Sequence, residues 1–352
     1  MDHPGLIIYG AYGYSGELIV ERAHEVGLRP VLAGRDPAKL ARLGERFELP
    51  VRAFSLDDSA AVLRGLSGAR CLLNCAGPFV HTAAPLLERC LDLGLHYLDI
   101  TGEIEVFRRC AELDSRARAR GITVLPGCGF DVVPSDCLAL GLKQRLPAAV
   151  GLTLAFTEDG GISRGTARTL VRNLTRGAMV RRAGQLELEP LGRRRSRVDF
   201  GRGPESTVAV AWGDVFTAFY TTGIPNIEVL AAAPAALIAA ARLLSAAGWL
   251  EHPALLALLG AWAERVRGPT KEQRQRSSSI LFGEARDGLG GRVRAYLRAP
   301  SGYALTAKTA VEAARRLLVG KTPTGFHTPA GLFGAEFIGE FSDVELVEFE
   351  DP

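Results

Sequence analysis

Residues that announce several common functions are scarce in this chain. Of its 352 residues only six are histidine and six cysteine. The histidines are scattered, and Cys71, Cys75, Cys90, Cys110, Cys128 and Cys137 form no CxxC pair and no zinc spacing. No metal is therefore expected, and the cysteines read as reduced thiols packed like small apolar residues. Aromatic residues make up 7%, and none interleaves with the arginine clusters described below, which argues against base stacking and hence against nucleic acid as a partner. The N-terminal MDHPGL lacks the basic, apolar and small-residue pattern of a secretory leader, so a cytoplasmic location is expected. Internal repeats and low-complexity linkers are also missing. What remains is ordinary for a globular protein: 47% apolar, 23% charged and a net charge of +3, in a chain long for one domain and comfortable for two.

The stretch Leu6 to Gly16, LIIYGAYGYSG, runs four strand-type residues into a turn with Gly10, Gly13 and Gly16. A strand that ends in a glycine turn and a helix N-terminus suits a pyrophosphate, because open backbone N–H groups and the helix dipole both favour negative charge. Gly10 would permit the tight turn, Gly13 the approach of phosphate to backbone, and Gly16 the packing of helix on strand; Tyr12, Tyr14 and Ser15 belong to the same turn. The spacing is GxxGxxG, not GxGxxG, so the amphipathic helix predicted for Glu17 to Val26 carries part of the argument.

Further on, strands are predicted at Pro30–Ala33, Val51–Phe54, Arg70–Asn74, His96–Asp99 and Thr123–Leu125. Between them lie predicted helices at Pro37–Phe47, Ala83–Leu93 and Glu105–Arg120. This alternation specifies a doubly wound parallel sheet. Beyond about Gly127 the rhythm changes. Strands predicted at Val150–Phe156, Gln185–Leu191, Ser206–Ala211 and Ile227–Ala231, and a hairpin of Ser279–Arg286 with Arg292–Ala299 around DGLGG, indicate a mixed second sheet. A helix is predicted at Leu305–Val319, and the tail GFHTPAGLFG reads as irregular.

Ligands of open parallel sheets lie beyond the carboxyl ends of the strands. After the second strand stand Gly34 and Arg35, where an acid would hold a ribose hydroxyl and an arginine accepts a 2′-phosphate instead. Lys39, one helical turn on, adds a second positive charge, and the expected cofactor is NADP. Asp57 follows the third strand and either caps a helix or meets the adenine amino group. Asn74, Ala76, Gly77, Pro78 and Phe79 follow the fourth strand, and Asp99, Thr101, Gly102 and Glu103 the fifth, bordering the nicotinamide half of the cleft. Asp99 and Glu103 read either as catalytic acids or as structure, with Thr101 an N-cap and Glu103 a first-turn acid. Gly127, Gly129 and Asp131 follow the sixth strand. No Tyr-x-x-x-Lys or Ser-x-x-x-Lys dyad stands out as a proton donor; Asp131, Tyr97 and Thr166 are the candidates, with water as the alternative source.

GAYGYSG, LAGRDPAKL, NCAGPF, HYLDITGE, PGCGFDVVPSD and TPAGLFG together resemble the saccharopine dehydrogenase-like oxidoreductases, a family that includes bacterial trans-acting enoyl reductases. The resemblance implies an α/β fold: a Rossmann-type NADP-binding domain at residues 1–126, completed by about 325–352, with a second α+β substrate or dimerisation domain, 127–324, inserted before the C-terminal return segment. It implies an NADPH-dependent reductase acting on a C=C bond of a small or carrier-bound acyl substrate. An imine or amine oxidoreductase and a non-catalytic NADPH-binding scaffold are the alternatives.

Two further stretches suggest partners. Between Arg164 and Arg202 there are eleven arginines against three acids, Glu187, Glu189 and Asp199. Arg164, Arg168, Arg172 and Arg176 would form one stripe on a helix, and Arg193, Arg194, Arg195 and Arg197 a second cluster, either solvated, paired with acids elsewhere, or facing an acidic carrier. Ala231 to Trp262 holds few charges and reads as two helices broken near His252-Pro253, buried in the second domain or a homodimer, or else facing acyl chains or a membrane.

Overall fold

The computed structural model describes residues 5–348; the side chains of Arg176 and Glu251 and the last residues of the expected return segment lie outside that set. The first unit begins with β1 (Leu6–Tyr9), α1 (Tyr14–Glu25), β2 (Val31–Gly34), α2 (Pro37–Phe47), β3 (Val51–Ala53) and α3 (Ser59–Leu66). It continues with β4 (Cys71–Asn74), α4 (Phe79–Leu93), β5 (His96–Asp99), α5 (Ile104–Glu112), α6 (Asp114–Ala119) and β6 (Thr123–Leu125). All four residues of β1, β2 and β4 are buried, as central strands covered on both faces must be. On α1, Ile19, Val20 and Ala23 face this sheet, and on α2 Leu40, Leu43 and Phe47 do.

Local chemistry sets the helix starts. Asp36 caps α2 by accepting from Ala38 and Lys39 N–H, with Pro37 in the first turn. α4 starts at Phe79, four residues ahead of the expected Ala83, because Pro78 is the extended cap residue and the Glu103 carboxylate accepts from the N–H groups of Phe79 (3.1 Å) and Val80 (2.9 Å). The single helix expected over Glu105–Arg120 is two, α5 and α6, divided at Leu113.

The chain then forms α7 (Val133–Arg145), β7 (Gly151–Glu158), α8 (Arg164–Arg176), β8 (Ala178–Arg182), β9 (Gln185–Glu189), β10 (Arg195–Asp199) and β11 (Pro204–Ala209). There follow α9 (Asp214–Thr222), β12 (Asn226–Ala232), α10 (Ala235–Ala246), α11 (Pro253–Arg265), α12 (Lys271–Arg276), β13 (Ser278–Arg286) and β14 (Arg292–Pro300). Helix α13 (Gly302–Val319) and β15 (Gly325–Phe326) come next, then a short helix at Pro329–Phe333 and finally β16 (Glu345–Glu348). The chain divides into a first unit that runs to Val133 and resumes at Tyr303–Leu332, and a second of Pro134–Gly302 with the residues from Phe333 on. The return to the first unit therefore begins some twenty residues earlier than expected and ends earlier as well. Nor is GFHTPAGLFG irregular: Gly325 and Phe326 pair with Thr123 and Val124.

In the first unit the sheet order is β15-β6-β5-β4-β1-β2-β3, parallel at every pairing. The strand order reverses between β1 and β4, which is the switch point of a Rossmann sheet. In the second unit the order β10-β11-β12-β7-β13-β14-β16, with β8 and β9 alongside, is mixed, β12 and β7 being parallel. Its core includes Ala155, Val198, Phe200, Leu230 and Phe282. The predicted hairpin is there as β13 and β14, in register from Ser278–Pro300 to Arg286–Arg292.

Among the described side chains, at least four of the arginines between Arg164 and Arg202 are paired with acids. Arg168 grips Glu264 with two bonds of 2.6 and 2.7 Å, Arg194 meets Glu189, Arg182 meets Glu228, and Arg202 meets Asp159 and Glu205. Arg181 is buried and donates to the carbonyls of Val215 and Gly184. The six cysteines are free and buried, and burial pushes each thiol well up. Leu72, fully buried on β4 between β1 and β5, gauges how far the first unit depends on this core. Leu72→Ala should cost about 2–5 kcal/mol, measured as a fall in the denaturant midpoint at unchanged slope.

Candidate functional site

Sterics explain two of the three glycines of the first turn. Gly10 has φ +80°, and a Cβ there would lie 2.8 Å from the backbone nitrogen of Ala76; one at Gly16 would lie 2.2 Å from the Gly10 carbonyl oxygen. Both permit backbone to meet backbone where β1, α1 and the loop after β4 converge. Gly13 is less crowded, its nearest contact being 3.2 Å. Unlike α2 and α3, α1 has no side-chain cap, so the N–H groups of its first turn suit an anion. Tyr14 opens that turn and meets Tyr303 edge-on at 4.8 Å; Ser15 follows, half-buried.

Tyr12 lies across the end of β2. Its hydroxyl accepts from the Asp36 N–H at 3.2 Å, and a Cβ on Gly34 would come within 2.6 Å of its ring. Gly34 is thus needed for the ring to pack. Lys39 stands 5.5 Å from the Tyr12 ring centre and 3.7 Å from the Asp36 carboxylate. Arg35 is exposed and forms no ion pair among the described residues. Asp57 accepts from the Ser55 hydroxyl, while the cap of α3 is Asp58, bonded to the N–H groups of Ala60 and Ala61. The helix-cap reading of Asp57 is therefore corrected by one residue.

A buried polar network ties together the loops after β4, β5 and β6. Asn74 accepts from the Ala76 N–H and donates to Thr82 and, at 3.4 Å, to the Tyr97 hydroxyl. Tyr97 donates to Asp99 at 2.8 Å, and the other Asp99 oxygen accepts from the N–H groups of Thr101 (3.0 Å) and Gly127 (2.9 Å). Tyr97, Asp99 and Thr101 are all fully buried. Burial pushes Asp99 up from its ordinary 3.8 to about 6, against the hydrogen bonds from Thr101, Gly127 and Tyr97 that favour its ionised form. Burial and the neighbouring Asp99 also push the Tyr97 phenol far up. Tyr97 as a proton donor to substrate is accordingly corrected: its hydroxyl is sealed inside and already committed. Thr101 accepts from the Glu103 N–H, and Glu103 occupies the cap position of α5 while its carboxylate serves α4. The structural readings of Asp99 and Glu103 thus prevail, with different bonds from those expected.

Around these fixed groups, Gly77 is exposed and Ala76, Pro78 and Phe79 are partly so. Asp131 is half-buried, its carboxylate 2.8 Å from where a Gly102 Cβ would be. The loop that carries it is braced by α13. Thr306 Oγ1 accepts from the Phe130 N–H at 3.0 Å and Thr309 donates to the Cys128 carbonyl at 2.8 Å. These threonines escaped the sequence reading; their only signal is a pair of hydroxyls three apart in an alanine-rich helix. Thr166 belongs to the second unit, exposed in the first turn of α8, with its N–H and hydroxyl both on the capping Ser163.

The strand order, the glycine turn beside the switch point and the uncapped α1 define a dinucleotide-binding α/β protein. Residues 6–125 match the family model of the saccharopine dehydrogenase NADP binding domain. By this match residues 6–125 are similar to the NADP-binding domains of saccharopine dehydrogenases. It is 30% identical over 163 residues to a probable mitochondrial saccharopine dehydrogenase-like oxidoreductase of Arabidopsis thaliana, covering 41% of this chain and 36% of the relative. It is 32% identical over 149 residues to a trans-acting enoyl reductase of Mycobacterium leprae, covering 40% and 36%. These alignments span little more than a third of the relatives' length. In fold the chain is similar to the apo saccharopine dehydrogenase (L-Glu forming) of Saccharomyces cerevisiae, with a TM-score of 0.68 over 98% of this chain and 100% of the other at 11% identity.

The raised pKa of Asp99 fixes the sign of a pH effect. Its folded value exceeds the unfolded one, so its contribution to stability is fully present below about pH 4 and is lost as pH rises through about 6. The loss amounts to about 3 kcal/mol. Asp99→Asn should flatten stability against pH across that window. Asp99→Ala should instead destabilise at every pH, by about 1–3 kcal/mol for each group left unpaired. Denaturant titrations from pH 4 to 8 compare the three proteins.

Proposed function

We propose that the protein is an NADPH-dependent reductase that adds hydride to the C=C bond of an acyl-type substrate. The residues present fit the cofactor: the open first turn of α1 would hold the pyrophosphate, and Arg35 with Lys39 the 2′-phosphate. Ala76 to Phe79 and Thr101–Gly102 would border the nicotinamide, and Asp57 the adenine. Bound NADPH would supply the hydride. The observation that carries the reading is the contrast among the acids after β5 and β6. Asp99 and Glu103 are buried on backbone N–H groups, whereas Asp131 is half-exposed beside Gly102. Asp131 would orient the substrate and the water that supplies the proton. The trans-acting enoyl reductases among the relatives support the acyl substrate class. Arg164, Arg193 and Arg195 are at least partly exposed on the second unit and are the residues left to attract an acidic acyl carrier, an attraction that salt should weaken.

Losing one charge-assisted phosphate contact costs about 1.5–3 kcal/mol. Arg35→Asp should therefore weaken NADPH by about 10- to 150-fold and NADH little, by calorimetry. Equal affinity of the unaltered protein for the two dinucleotides would sink the assignment. For the chemistry, NADPH deuterated at C4 is supplied with α,β-unsaturated thioesters, small and carrier-bound. Label should appear on the β-carbon, and Asp131→Asn should lower kcat by about 100-fold with NADPH affinity unchanged. Turnover confined to imines of amino-dicarboxylates would install the amine oxidoreductase reading, and turnover of neither class the scaffold.

A further inference from the structure

Between Ala235 and Ala263, through α10 and α11, the only charged residues are Arg242 and Glu251. Alanine and leucine occupy every face of both helices, a composition that belongs in a core or in lipid and not in water. The second unit does not supply that core. Among the described side chains of this stretch it buries only Ile238, Leu250 and Ala263, while Leu237, Leu243, Trp249, Leu258 and Trp262 are 62, 71, 58, 67 and 45% exposed. Exposed apolar surface on this scale marks a place where something docks.

Three features identify the occupant. From the end of α11 onward comes a basic run, Arg265, Arg267, Lys271, Arg274 and Arg276, against Glu264 and Glu272, and Glu264 is already held by Arg168. Two of the three tryptophans, Trp249 in the link between the helices and Trp262 in the last turn of α11, sit where indoles anchor at a lipid–water boundary. The helices have 12 and 13 residues, so each reaches only about 18–20 Å, against about 30 Å of hydrocarbon. No helix among the described residues is long and apolar enough to cross a membrane. Apolar helices of this length, flanked by cations and tryptophan, suit shallow insertion at an interface.

We propose that α10 and α11 dock the protein onto a bilayer with anionic headgroups, their leucines and tryptophans at the acyl boundary and the basic run on the headgroups. The inference does not depend on the reaction proposed above.

The test is co-sedimentation of the full chain with phosphatidylcholine vesicles, with and without phosphatidylglycerol. Binding should be stronger to the anionic vesicles, and high salt should remove that preference. Lipids brominated on the acyl chain should quench the tryptophan emission of the unaltered protein. Leu243→Ser with Leu258→Ser should lower partitioning by about tenfold or more, with NADPH binding as the control for folding. Arg265→Gln with Arg267→Gln should lower only the preference for anionic vesicles. Absence of binding to either vesicle would overturn the proposal. So would a concentration-dependent dimer in sedimentation velocity, dissolved by the leucine substitutions and indifferent to vesicles, since a second copy would then be the occupant.

Discussion

A single buried carboxylate organises the working edge of the first unit. Loops beyond the ends of parallel strands have no ladder to hold them, so something else must fix their backbone. Asp99 receives the N–H of its own loop through Thr101, that of the next loop through Gly127, and through Tyr97 and Asn74 it reaches the loop after β4. Enclosing a charge in this way is unfavourable unless its oxygens are well bonded. The saturation of both oxygens explains how a residue with no solvent exposure can still ionise near neutrality. Glu103 repeats the device on a smaller scale by gripping the start of α4 from the loop after β5.

The two halves of this edge are therefore built differently. On the β1 and β2 side, backbone shape dominates: glycines, an uncapped helix and the ring of Tyr12 laid over Gly34. On the β4 to β6 side, side-chain bonds dominate, and α13 adds two threonine hydroxyls from a distant part of the chain. The first arrangement suits a constant element such as a phosphate, and the second fixes its loops through buried bonds on strand residues.

That division also decides what could be read from the sequence. The parallel sheet, its strand positions and the glycine turn were legible because they are local patterns of periodicity and turn chemistry. The stripe of Arg164, Arg168, Arg172 and Arg176 does lie on a helix, α8, whose Ser163 cap was not singled out from the sequence. The strands β8 and β10 were not legible, since in AMVRR the buried Arg181 interrupts the apolar pattern and in RSRVD only Val198 is buried. α9 was missed because DVFTAFYTT is rich in β-branched and aromatic residues whose helix is enforced by burial. β15 was missed because two residues with a glycine become a strand only when β6 is beside them. The partners of Glu103 were hidden for the same reason, since no local pattern reveals bonds to Phe79 and Val80 twenty-odd positions away. Tyr97 failed as a donor because burial, which its local pattern does not show, commits its hydroxyl to Asp99.

The bond between Thr123 and the Pro323 carbonyl joins residues 200 apart in the chain, and β16 likewise closes onto β14 only after the chain has left the first unit again. Neither unit is a contiguous segment. On the ribosome, at about 5–20 residues per second, β6 must wait about 10–40 s for its outer neighbour, exposing an unpaired strand edge throughout. Synthesis thus favours a nascent β6 that is shielded meanwhile, and a cut between Gly302 and Gly325 would strip both units of an element at once.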